Sequence, residues 1–272
     1  MCFLTLFLSG IFVLSASLFI LVLLIIAGLL ILLLLHEKFR ENLIKICHLN
    51  IESENPRHYF ALLLFLCILF AAVISFLWMT ETGETIFETE INARFNILDL
   101  VINEIFYLAI AVFGYGYLTR KNLTATLNDL GVKKPTSSDI LFGFTVGIGL
   151  IFLIVVFALI FQHFGFAGEN TDEWLKNLIS VQNAFVLGLS AGICEEILFR
   201  GALQPKFGII PTALLFAFLH IQYPALWMLF MIFIIGIILG YVRKITNTTT
   251  AIIVHSTYDV VQMLMLCFFT LR

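Results

Sequence analysis

Two adjacent carboxylates and an arginine interrupt an otherwise apolar run, Gly192-Ile193-Cys194-Glu195-Glu196-Ile197-Leu198-Phe199-Arg200-Gly201. Charged side chains are costly in hydrocarbon, so they are rare there and usually functional. On a helix Glu196 and Arg200 are four apart, acid first, which is the better order for an ion pair on one face. Glu195 points about 100° away from Glu196 and lacks that partner. One glutamate therefore reads as structural and the other as available for chemistry. The competing use of such residues is an ion pair that only locks two helices together.

Three more polar groups lie in the last third of the chain. His220 follows Phe216 by four residues, and Asp259 follows His255 by four, so each pair shares a helical face. A lone histidine near a helix end is more often hydrogen-bonded than catalytic. Two histidines and two carboxylates in one membrane core are harder to set aside, because each needs a partner out of water. A carboxylate or an imidazole can take a proton from water. A donor facing a developing oxyanion would complete a hydrolytic site.

The elements that must position these groups are membrane helices. Of 272 residues 61% are hydrophobic and 12% charged, far fewer charges than a soluble domain carries. The expectation is an all-α, polytopic membrane bundle of about eight transmembrane helices. The net charge of −3, with scattered basic residues, argues against nucleic acid as a partner and leaves membrane lipids. Five cysteines without CxxC spacing indicate neither a disulfide framework nor a zinc ribbon. No lipobox precedes Cys2, and no basic region precedes the first apolar run, so no cleavable signal is expected.

That run, Cys2 to Leu35, exceeds the ~20 residues of one span, so it tilts, protrudes or breaks near Ser9-Gly10. Further spans are expected near 59–79, 97–118, 140–161, 184–199, 211–222, 225–242 and 250–271. Acidic or polar loops fall at 81–90 and 168–176. Between Thr119 and Asp139 a short amphipathic helix is expected, with Leu123, Leu127 and Leu130 on one side and Gly131 at its end. Glu104 lies deep in the third span, and the sequence names no partner for it. The chain divides into 1–180, about four helices with loops, and 181–272, a catalytic core. Twelve basic residues, among them Lys38, Lys133, Lys206 and Lys244, fall on one side of this layout and only Arg94, Lys176 and Arg272 on the other. The bias predicts both termini outside the cytoplasm.

Glu195-Glu196-xxx-Arg200, then Phe216-xxx-His220, then His255-xxx-Asp259, resembles the CPBP family of intramembrane proteases. That family includes CAAX prenyl endopeptidases of the non-HExxH type and the Abi group of bacteriocin-processing or immunity proteins. The resemblance covers roughly Gly188 to Leu266. It implies that Glu195 and His220 activate the hydrolytic water, that His255 and Asp259 stabilise the oxyanion, and that Glu196 and Arg200, with Phe216 beside them, hold the site together. It implies a membrane-associated peptide substrate, with a prenylated CAAX-type C-terminus as the first expectation and leader or bacteriocin processing as the second. An ionised Asp259 cannot donate a hydrogen bond. Glu195, His220 and His255 could instead form a three-ligand open site for a divalent metal such as zinc, which would make this a metalloprotease.

Rival patterns exist. Gly188-Leu189-Ser190-Ala191-Gly192 fits GxSxG, the nucleophile elbow of a rhomboid-like serine protease. The same small residues are common where membrane helices pack closely. HExxH is absent, and Tyr258-Asp259 has no second motif of the intramembrane aspartyl type. A transporter or scaffold using buried charges is the non-enzymatic alternative, but no internal repeat is seen.

Overall fold

A computed structural model describes residues 36–46, 58, 61–70, 73, 97–165, 178–220 and 226–270. The long first apolar run and the two expected acidic or polar loops lie outside them. Among the described residues the protein is all-α, as the sequence predicts. Four helices, Ile97–Gly114, Ser137–His163, Trp227–Ile245 and Thr248–Phe269, are long and apolar enough to cross a membrane. It is an integral membrane protein.

The elements in order are α1 (Glu37–Ile46), α2 (Ala61–Phe70), α3 (Ile97–Gly114), α4 (Leu123–Asp129), α5 (Ser137–His163) and α6 (Val181–Glu196). A π turn, Ile197–Leu203, then leads into α7 (Gln204–Phe207), α8 (Ile209–Phe218), α9 (Leu226–Ile245) and α10 (Thr248–Thr270). The helices start where side chains can satisfy orphan N–H groups. Thr136 and Asp139 form a reciprocal capping box on α5, and Ser180 caps α6 through the Asn183 N–H. The short amphipathic helix is present as α4, capped by Asn122, and Gly131 follows it at φ 74°. A side chain there would be strained, and its Cβ would also come within 2.8 Å of Thr248 Oγ1.

The expected fifth span differs in form. Its helical backbone does not stop at Phe199 but runs on through the π turn to Phe207. The expected sixth helix starts at Ile209, so Pro211 sits in its first turn rather than at its first residue. Gly208, at φ 82°, makes the corner between α7 and α8.

α10 packs against α5, α6 and α9. Close approach comes from glycines four apart, which let membrane helices meet backbone to backbone. On α6, Gly188 faces Val260 and Gly192 faces Ser256, and on α5, Gly143 faces Ile253 and Gly147 faces Thr257. On α9, Gly236 faces Ala213 of α8. The end of the bundle near α4 is fastened by polar contacts. Thr248 Oγ1 donates to the Leu130 carbonyl at 2.7 Å, and Thr250 Oγ1 donates to Asp139 at 2.6 Å. The Lys133 N–H donates to Thr249 Oγ1 at 2.8 Å. α10 therefore enters the bundle at a fixed height, which fixes the height of His255.

Candidate active site

Glu196 is fully enclosed, with 0% of its surface exposed, and Arg200 is buried beside it. The expected ion pair is present, with Arg200 Nη1 2.9 Å from Glu196 Oε1. The guanidinium also donates through Nη2 to the Gly236 carbonyl at 3.2 Å. It lies 4.5 Å from the centre of the Phe216 ring. An arginine in hydrocarbon needs such a cage of carboxylate, carbonyl and aromatic face.

Glu196 has a second role that sequence spacing does not reveal. His255 Nδ1 is 2.8 Å from Glu196 Oε1. A carboxylate paired with arginine only accepts, so Nδ1 is the donor nitrogen. That bond sets the plane of the imidazole and turns Nε2 the other way. On the Nε2 side stand Asp259 Oδ2 at 3.3 Å and Glu195 Oε2 at 4.0 Å. The two adjacent glutamates thus reach the two opposite nitrogens of one ring.

Phe216 connects this cluster to His220. Its ring centre lies 4.7 Å from that of His220 and 5.9 Å from that of His255. His220 Nδ1 donates to the Phe216 carbonyl at 2.8 Å, so in the neutral ring Nε2 is the acceptor nitrogen. The sequence places His220 deeper than its partners unless its helix is short. The structure resolves this because α8 ends at Phe218, and His220 lies in the turn that follows.

The π turn begins at the residue after Glu196 and contains Arg200. Such wide turns concentrate at functional sites. Here it is held from three sides. Tyr115 donates its hydroxyl to the Ala202 carbonyl at 2.9 Å. Gly201 lies against Leu130 so closely that a Cβ would be 2.8 Å from that carbonyl. One turn beyond Arg200, buried Gln204 donates to the Gly240 carbonyl at 2.8 Å. Arg200 and Gln204 therefore bond successive members of the Gly236-xxx-Gly240 pair on α9. Nothing local in the sequence marks Gln204.

Ser190 lies within α6 rather than at a strand-to-helix turn, and its hydroxyl donates to the Leu187 carbonyl at 3.1 Å. A nucleophile elbow needs that turn to expose its serine. The Gly188 and Gly192 of the pattern are contact points with α10. Among the described residues, no group of three His, Cys, Asp or Glu side chains is gathered closely enough to hold a metal ion.

Comparison with known proteins addresses the same segment. Residues 177–261 match the family described as Rce1-like, type II CAAX prenyl endopeptidase. All seven motif residues, Glu195 to Asp259, fall within the match. The core of this chain is similar to that family. Over 84 residues the chain is also 36% identical to the uncharacterized protein YpbD of Bacillus subtilis (strain 168), covering 30% of this chain and 44% of that protein. The match thus spans less than half the length of this curated relative. No solved structure matches. The expected resemblance holds over residues 177–261, and the helices before that segment lie outside the match.

One buried acid outside that core reaches the site. Glu104 of α3 is 8% exposed and lies within electrostatic reach of Glu195, His255 and Asp259. Its depth in the third span marks it as needing a partner. Which partner depends on how α3 packs on α6, and that is not written in either helix alone.

Proposed function

We propose that the protein is an intramembrane endopeptidase that uses Glu195 as its base and acts on the prenylated C-terminus of a CAAX-type protein. The observation that carries this reading is the imidazole of His255. Glu196 and Arg200 hold one of its edges, and its other edge faces Glu195 and Asp259. A ring held this way is oriented before substrate arrives, which is what electrostatic stabilisation of an oxyanion needs.

In this reading Glu195 takes a proton from water as the water oxygen attacks the peptide carbonyl. With Nδ1–H given to Glu196, His255 acts as an imidazolium whose Nε2–H faces the oxyanion. The proton on Glu195 passes to the amine nitrogen as the carbon–nitrogen bond breaks. His220 presents Nε2 to the same water or to the leaving amine. The steps above are carried by side chains alone. The site lies about 10 Å along α10 from Thr248 at ~1.5 Å per residue, so cleavage occurs in the half of the membrane nearer that end. The description of the matched family is what favours a prenylated substrate.

The test is reconstitution in lipid vesicles with a farnesylated peptide ending in cysteine, two aliphatic residues and a variable residue. Mass spectrometry should show loss of the last three residues with the wild type. Glu195→Gln should remain folded and give no product, because an amide cannot take the proton. Ser190→Ala should cleave at the wild-type rate. Product from Glu195→Gln at an undiminished rate would overturn the mechanism, and an intact peptide with the wild type would overturn the substrate.

A further inference from the structure

Glu104 is a buried acid that the mechanism above does not use. It stands on α3, which packs against α6 and the π turn. Its Oε2 is buried and has no hydrogen-bond partner among the described residues. Among the described residues, the charged and titratable groups facing it are Glu195 and Cys194 on α6 and His255 and Asp259 on α10. An acid so deeply placed, with one oxygen unsatisfied and the reactive glutamate beside it, is poorly explained as packing.

We propose that Glu104 is a positioning residue for the hydrolysis described above, a neutral carboxyl group that holds the attacking water against Glu195. The neutral form follows from the charges around it. Three carboxyl groups, Glu104, Glu195 and Asp259, face a single imidazole, while Arg200 is committed to Glu196. Crowded carboxylates out of water do not all ionise. A neutral carboxyl keeps a carbonyl oxygen that accepts a hydrogen bond. With one water hydrogen on Glu195 and the other on Glu104, the oxygen lone pair is left to point at the peptide carbon. Glu195 takes its proton as the oxygen–carbon bond forms and returns it to the amine as the carbon–nitrogen bond breaks. Glu104 keeps its proton throughout.

The proposal rests on the endopeptidase reading, and two measurements separate its failure from failure of that reading. The first compares Glu104→Gln and Glu104→Leu on the farnesylated peptide. The amide retains a carbonyl acceptor, so Glu104→Gln should stay within a few-fold of wild-type kcat. Glu104→Leu should lose at least about tenfold in kcat with little change in KM, the signature of lost positioning rather than lost binding. Equal rates for the leucine variant and the wild type overturn the proposal, as does equal loss in both variants. The second uses no peptide. Dicyclohexylcarbodiimide, which attacks neutral carboxyl groups in apolar surroundings, should modify Glu104 of the full-length wild type near neutral pH, as read by mass spectrometry of fragments. Should the peptide stay intact with the wild type, the endopeptidase reading is what fails, and carbodiimide labelling still decides the state of Glu104. An unmodified Glu104 overturns the proposal.

Discussion

His255 and Glu196, 59 residues apart in the chain, are joined by a buried 2.8 Å contact between Nδ1 and Oε1. Glu196 is also the counter-ion of Arg200. One carboxylate therefore supports both an arginine beside the π turn and a histidine whose other edge faces Glu195. The two functions cannot be altered separately.

Glu196→Gln should for that reason fail as a folded protein before it fails as an enzyme. The amide keeps one acceptor but removes the charge that compensates Arg200 in a site with no water. Breaking a buried pair from one side costs about 3–5 kcal/mol. We expect sharply lower yield and a lower thermal midpoint in detergent, measured beside Glu195→Gln, which should resemble the wild type in both. A Glu196→Gln protein as stable as the wild type would show that Arg200 is held by Gly236 and Phe216 without it.

The crossing of α6 and α10 makes a second prediction. A Cβ on Gly192 would lie 2.2 Å from Ser256 Oγ and 2.7 Å from the Ser256 backbone nitrogen. Backbone cannot rotate away, so Gly192→Ala must push the helices apart at the residue next to His255. Overpacking of this kind costs typically about 1–3 kcal/mol. Cleavage should fall along with thermal stability, since His255 would be drawn from Glu196. Gly149→Ala is the control, because among the described residues no atom lies within 4 Å of its added Cβ. It should be neutral or slightly stabilising through helix propensity.

These contacts mark what is legible in a sequence of this kind. The Glu196–Arg200 pair is readable because both residues sit on one helix and the 3.6-residue period brings them together. The membrane spans are readable because hydrocarbon demands long apolar runs. The partnership of Glu196 with His255 is not, since it depends on the depth at which α10 crosses α6. That depth is set by Gly188 and Gly192 on one side and by the Thr248 and Thr250 anchors below. The π turn is invisible for another reason. Ile197–Leu203 contains no proline, and its one glycine reads as ordinary helix packing. Glu104 could be seen as an acid in need of a partner, but only tertiary packing supplies Glu195.

Orientation in the membrane is predicted by the basic residues. Lys133 and Lys134 precede α5, and Arg243 and Lys244 close α9, at the end of the bundle where Thr248 meets Leu130. The excess of lysine and arginine at this end predicts that it faces the cytoplasm. In a cysteine-free background, Lys133→Cys and Lys244→Cys should react with an impermeant maleimide only after the inner face is opened. Reaction of both from outside in intact cells would invert the arrangement and move the site to the outer half of the membrane.

Asp259 offers the sharpest separation of roles. Its Oδ2 lies 3.3 Å from His255 Nε2, and its side chain keeps 22% of its surface exposed, where Glu196 keeps none. Because Asp259 shares a helical face with His255, it could be thought to orient that ring. In the structure Glu196 already holds the ring from the opposite edge, so removing Asp259 should not release it. Its contribution must then fall on the side where substrate binds. Asparagine at this position can donate a hydrogen bond to an oxyanion and accept one from Nε2–H, whereas alanine can do neither. Asp259→Asn should therefore retain cleavage within about tenfold of the wild type, and Asp259→Ala should lose about two to three further powers of ten, the typical yield of an oxyanion donor. Both variants should unfold at the wild-type temperature, because no buried charge is left without a partner. The measurement is kcat and KM on the farnesylated peptide together with thermal midpoints. Equal loss in the two variants would show that the negative charge itself is required. A wild-type rate for Asp259→Ala would leave His255 as the donor of this pair and take Asp259 out of the reaction.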